Sequence, residues 1–188
     1  MNKMIEKAKI FCIEKHKGQK RKWTGEPYST HPIGTYEIAK KYTNDEEVLV
    51  GCLLHDTIED CGVTYEEIMQ KFSKGIADIV KGVTHELGSG WVDTRVHYLA
   101  NLSLAPKKSV FVALADKIHN LDCIVDALDN GFVEVDKLQS PYRIEWFNNS
   151  VALIARERLK SDAGMFLINK LQGKTATFMS KYHKGVYR

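Results

Sequence analysis

Three separated stretches of this chain hold residue types that can do chemistry together. In "CLLHDTIED", residues 52 to 60, His55, Asp56, Glu59 and Asp60 follow directly on an apolar run. In "SVFVALADKIHN" the run from Val110 to Asp116 has one polar member, Asp116, and Asn120 lies one helical turn further on. In "YSTHPIG", His31 stands where a polar loop meets an apolar stretch, beside a stiffening Pro32. Together they offer two imidazoles and two carboxylates: His31, His55, Asp56 and Asp116. Such a mixed nitrogen and oxygen set suits a borderline-to-hard divalent metal such as Mn or Fe better than a sulfur-ligated zinc site.

Taken singly, each stretch has a blander reading. The acids after His55 suit an ordinary solvent-facing helix end, although three acids near a C-terminus oppose the helix dipole and call for a compensating cation. Asp116 suits a single wet stripe of its helix, beside Lys117. If it is buried it needs a partner, because an unpaired buried carboxylate costs several kcal/mol. A lone histidine at a loop–helix junction is more often structural than a ligand.

The elements that must position these residues read as helices throughout. Ile5, Ala8, Phe11 and Cys12 share one face of a helix over 2–17. "GQKRKWTGEPYST" is a loop, after which Thr30 caps a helix over 31–42. Asp45 caps a third helix running through residue 60, apolar on most sides and therefore buried on most sides. There, His55 with Glu59 and Asp56 with Asp60 stack four residues apart. "TYEE" at 64–67 has the form of a capping box. Further helices follow over 74–85, 91–103, 106–129 and 141–171, and the basic, aromatic last residues show only a weak period. No stretch shows sustained strand alternation, repeat or linker. The expectation is one all-α domain, a compact helical bundle over 1–188 with its motifs in 16–128 and C-terminal helices in 141–188.

Composition narrows the function classes. The chain has 188 residues, 44% hydrophobic and 27% charged, enough for one core. A net charge of +3 is too small to imply nucleic-acid binding by itself. The four cysteines, Cys12, Cys52, Cys61 and Cys123, lack CxxC spacing and read as reduced core thiols. With no membrane-length apolar run and no signal-peptide core, the expected setting is cytoplasmic.

The pattern H…HD…D, as His31, His55-Asp56 and Asp116, resembles the HD superfamily of metal-dependent phosphohydrolases. "GEPYSTHPIG", "LLHDTIED" and "ALADKIHNL" look like the hydrolase domain of RelA/SpoT homologues, most of all their small single-domain members, the Mesh-type alarmone hydrolases. The likeness covers residues 4 to 128 strongly and the remainder loosely. It implies an all-α fold, one Mn2+ held by His31, His55, Asp56 and Asp116, and hydrolysis of the 3′-pyrophosphate of ppGpp or pppGpp to GDP or GTP. It places the catalytic acids on Glu59 and Asp60, the guanine-nucleotide contacts on Arg21 and Lys22, and a further nucleotide contact on Asn120. It also implies that the family's nucleotide-synthesising domain is missing. His85 stands where relatives commonly carry an acid, and the stretch from Ala105 to Asp116 is shorter than in animal members.

The residues agree with that chemistry on their own terms. A divalent ion lowers the pKa of bound water towards about 7 and polarises a phosphoryl oxygen. Glu59 and Asp60 are placed to orient the water and accept its proton. "KHKGQKRK" supplies cations for an anionic substrate, and Arg21 offers a planar guanidinium to stack on a purine. Trp23 reads as a loop anchor and Tyr28 as either anchor or pocket residue. His16, His85, His97, His119 and His183 read as surface or supporting residues. Two other readings stay open: a phosphohydrolase for another nucleotide, such as the 2′-phosphate of NADPH, and a non-catalytic nucleotide- or RNA-binding protein with a structural metal.

Overall fold

The computed structural model describes residues 2–22, 24–86, 90–133 and 140–186, and Trp23 lies outside them. Among the described residues ten helices follow in order: α1 (Lys3–Lys15), α2 (Thr30–Ala39), α3 (Glu46–Leu54), α4 (Thr57–Cys61), α5 (Tyr65–Lys71), α6 (Lys74–Lys81), α7 (Trp91–Leu104), α8 (Lys107–Asp129), α9 (Pro141–Arg158) and α10 (Asp162–Val186). No strand occurs among the described residues. The loop after α1 is pinched by one isolated antiparallel bridge between Lys20 and Pro27.

Local chemistry accounts for most of the starts. The side chains of Asn2, Asp45, Thr64 and Ser73 each accept a backbone N–H in the first turn of the helix that follows. Thr30 does not cap α2; it lies inside the helix and its hydroxyl donates to the Pro27 carbonyl at 2.9 Å.

α3 and α8 form the centre. Every residue from Val48 to Leu54 and from Ser109 to Ile118 is buried. α3 also packs on α1, α2 and α6, and α8 on α2, α3, α9 and α10. Gly51 permits this closeness: a Cβ there would sit 2.7 Å from Ile79 Cγ2 and 3.3 Å from Val112 Cγ2.

Two expected helices are broken in two. The helix expected to run from Asp45 through 60 stops at Leu54. His55 Nδ1 donates to the Cys52 carbonyl at 2.8 Å and the Thr57 hydroxyl to the Leu54 carbonyl at 2.7 Å. These side-chain donors take carbonyls that a continuing helix would use. Asp56 adopts φ −93°, ψ −4° and α4 begins anew at Thr57. Glu59 and Asp60 thus fall in a first helical turn, and the dipole conflict expected of a C-terminus does not arise.

The helix expected over 141–171 divides at residues 159–161, and the weakly periodic C-terminal stretch is helical to Val186. It continues α10, with Leu171, Thr175, Phe178 and Met179 buried. All four cysteines are free; Cys12 and Cys52 are fully buried, Cys61 and Cys123 half-buried. Among the described residues no helix is long and apolar enough to cross a membrane.

Candidate metal centre and cleft

The end of α3, the start of α2 and the middle of α8 bring three donors together. Ligand atoms of His31, His55 and Asp116 all lie within 4.8 Å of one another. Asp56 joins from the α3–α4 break: its Oδ1 is 3.2 Å from His55 Nε2 and its Oδ2 3.6 Å from His31 Nε2. The blander reading of Asp116 fails, because it is 6% exposed and Lys117 9%. Neither sits on a wet stripe.

The hydrogen-bond roles inside this cluster close only with a proton or a cation at its centre. With Nδ1 donating to Cys52, a neutral His55 carries its lone pair on Nε2. That nitrogen faces His31 Nε2 at 3.2 Å and Asp116 Oδ1 at 3.6 Å. His31 places Nδ1 2.8 Å from His119 Nδ1 and Nε2 3.1 Å from Asp116 Oδ1, so its lone pair lies on Nε2 when its Nδ1 donates to His119. In that arrangement acceptors point at acceptors, and a proton or a metal ion must sit between them. In the protein alone a proton serves. Burial disfavours charge on both rings and lowers His31, but at His55 the Asp56 and Asp116 carboxylates outweigh burial and push it up to about 9. Two imidazoles and two carboxylates with convergent lone pairs fit a divalent ion.

Asp116 is held ionised. Burial alone would raise it, but Lys117 at 2.6 Å and hydrogen bonds to His31 and His55 keep it well below the usual carboxylate range. Asn120 Nδ2 donates to its Oδ1 at 2.6 Å. The Tyr28 hydroxyl donates to Asp56 Oδ2 at 2.9 Å, which answers the open question about Tyr28.

A polar cavity of about 190 Å³ opens over the cluster, and Glu59 and Asp60 line it. Water reaches both carboxylates through its mouth, but protein atoms crowd them. Burial, with the nearby acids adding, raises Glu59 and Asp60 above their ordinary values. Opposite stand Arg95 and Lys117, whose charged atoms lie 5.0 and 5.2 Å from the centre of the Phe147 ring. A second hollow of about 150 Å³ shares Arg95, Lys117 and Asn120 and is walled by Trp91, Ile124, Ile144 and Phe147. Arg21 reaches inward, with Nη2 3.4 Å from Asn120 Oδ1 and its guanidinium 5.5 Å from the Tyr28 ring centre. Lys22 is exposed on the turn and lines neither chamber.

Sequence reasoning missed Arg95 and Lys117 as cleft cations and undervalued two histidines. His85 lies in the cleft wall, stacked on Tyr98 at 4.1 Å with Arg95 Nη1 2.7 Å from its Nε2, and its backbone N–H donates to Glu59 Oε2. Burial, then Lys117 and Arg95, push its pKa down to about 2, so the ring is neutral. His119 touches His31 directly, and burial pushes it down to about 3. The signal for His119 was its spacing three residues beyond Asp116; Arg95 carried none, because only the fold of α7 against α8 and α9 brings it in.

An all-helical fold with an H…HD…D constellation at its centre defines a class, that of the HD domains. The family model of the HD domain matches residues 8–138, and the chain belongs to that family. Among individual proteins it is 36% identical over 126 residues to a guanosine-3′,5′-bis(diphosphate) 3′-pyrophosphohydrolase of Aquifex aeolicus, covering 67% of this chain and 17% of that protein. It thus spans about a sixth of the length of such relatives. It is 34% identical over 134 residues to the Xenopus tropicalis protein named guanosine-3′,5′-bis(diphosphate) 3′-pyrophosphohydrolase MESH1, covering 70% of this chain and 75% of that one. The solved structure of a metazoan ortholog of SpoT that hydrolyses ppGpp superposes with a TM-score of 0.71 over 96% of both chains, at 20% identity. That likeness shows the fold.

Proposed function

We propose that this chain, acting as one domain over 1–188 in the cytoplasm, is a Mn2+-dependent hydrolase that removes the 3′-pyrophosphate of ppGpp and pppGpp. The observation that carries the reading is the convergence of unshared lone pairs from His31, His55, Asp56 and Asp116 beneath two acids with raised pKa values. The names of the relatives point the same way. So does the pairing of a polar chamber with an aromatic hollow, which suits a substrate anionic at one end and aromatic at the other.

In this reading His31, His55, Asp56 and Asp116 hold the ion, which when bound supplies positive charge that acidifies water and polarises a phosphoryl oxygen. Glu59, fixed by the His85 N–H, and Asp60 orient the attacking water and accept its proton at a carboxylate oxygen. Their raised pKa values bring them nearer the working pH, as such proton acceptors require. Arg95 and Lys117 offset charge on the leaving pyrophosphate. Arg21 stacks on the base, Lys22 adds a point charge from the turn, and Asn120 links Arg21 to Asp116 beside the nucleotide. One water is consumed, the bond between the 3′ oxygen and phosphorus is cleaved, and GDP or GTP and pyrophosphate leave.

The test is turnover of purified ppGpp, pppGpp and NADPH with Mn2+, products resolved by ion-exchange chromatography. Pyrophosphate with GDP or GTP is expected. Orthophosphate from NADPH with no pyrophosphate from ppGpp would refute the substrate. Salt-sensitive nucleotide or RNA binding without turnover would refute the enzyme.

A further inference from the structure

We propose that His119 is a positioning residue that sets the tautomer of His31, keeping the His31 proton on Nδ1 and its lone pair on Nε2; this rests on the metal-centre reading above. The two histidines of the centre are held differently. His55 leans on a backbone carbonyl, Cys52 O, which accepts only, so its Nδ1 must donate. His31 leans on another imidazole, His119 on α8, with Nδ1 to Nδ1 at 2.8 Å and ring centres 4.9 Å apart.

Two neutral imidazoles paired through Nδ1 have two arrangements. If His119 donates, His31 carries its proton on Nε2, 3.1 Å from Asp116 Oδ1, where it would fill the place of an ion. If His31 donates, Nε2 presents a lone pair to the cluster. Only the second is compatible with a bound cation. A ligating histidine is commonly oriented by an acceptor at its other nitrogen, and here that acceptor is a side chain.

The fold keeps the His119 ring in place. On one side it lies against Gly34 of α2, so closely that a Cβ at that glycine would fall 1.9 Å from His119 Nε2. On another side Cys123, one turn along α8, places Sγ 3.5 Å from His119 Nδ1. The ring is clasped between α2 and its own helix, with the accepting nitrogen turned to His31.

The experiment is a Mn2+ titration followed by electron paramagnetic resonance on wild type, His119→Phe and His119→Asn. The phenyl group keeps a planar ring in the clasp and removes the acceptor, so affinity should fall roughly 10- to 100-fold. The Asn side chain offers Oδ1 where Nδ1 stood, so its affinity should lie nearer wild type than His119→Phe does. In 15N-histidine spectra of the wild type loaded with diamagnetic Zn2+, His31 should carry its proton on Nδ1. Wild-type affinity in both variants, equal losses in both, or a His31 proton on Nε2 in the loaded protein would overturn the assignment. None of these readouts uses substrate. A protein that binds Mn2+ in the expected order but spares ppGpp refutes the alarmone reading alone, and a wild type that binds no Mn2+ refutes both.

Discussion

The floor and the rim of the cleft rest on different physics. The floor belongs to the most buried helices: His31, His55 and Asp116 are 2%, 2% and 6% exposed, and each is fixed by at least one partner inside the protein. The rim is built on a five-residue helix and a turn, where Glu59, Asp60 and Lys22 meet water and Arg21 is half-buried. On the floor, geometry is set by core packing, which tolerates little change. On the rim, single side chains act through charge and reach. Metal capture and substrate choice should therefore fail separately.

The sharpest break is at the floor. Asp116→Ala removes one of the four proposed ligands and leaves Lys117 buried without its carboxylate, a loss of about 3–5 kcal/mol. Bound metal by mass spectrometry and nucleotide turnover should both vanish, and full occupancy would remove Asp116 from the ligand set. Next comes the acid pair. Glu59→Gln should keep metal and nucleotide affinity while kcat falls by about 10²-fold or more, the scale of a lost proton acceptor. Loss of metal would instead move Glu59 to the floor.

Smaller effects belong to the outer rim. Arg21→Ala should raise KM about 5- to 150-fold, the equivalent of roughly 1–3 kcal/mol of stacking, with kcat nearly unchanged. Lys22→Ala should raise it less, and the difference should shrink as salt is added. Equal losses in kcat and kcat/KM would give these residues a role only in the transition state.

The smallest effect concerns stability. Burial raises Glu59 in the fold, so the stability tied to its neutral form is present at low pH and lost as pH rises through the raised value. Glu59→Gln stays neutral throughout. In metal-free protein its Tm at pH 7 should exceed that of wild type, with the gap closing below pH 4; an unchanged Tm at pH 7 would show that solvent already screens this carboxylate.

The same contrast explains what could be read from the chain. Asp45, Thr64 and Pro106 announced helix starts, and the apolar runs before His55 and around Asp116 announced burial. Local chemistry dictates both. The break at His55-Asp56 was not legible, because it depends on which carbonyls His55 and Thr57 reach after folding. The C-terminal helix was masked by Thr175, a hydroxyl residue in the buried stripe that bonds back to the Leu171 carbonyl. Lys117 looked like a mark of solvent; its burial follows from Asp116 beneath it and the rings of Tyr98 and Phe147 beside it.

The break after α3 also bears on which insertions and deletions this chain can tolerate. Successive residues of a continuous helix point about 100° apart, so His55 and Asp56 converge because the helix ends between Leu54 and Thr57. Deleting one residue within Val48–Leu54 would draw the doublet back by about 1.5 Å and turn it by the same 100°, carrying His55 away from Asp116. One residue added to the loop between α2 and α3 leaves that register intact. Length variation should therefore be accepted in the loop and rejected within the helix, although the two sites lie only a few residues apart.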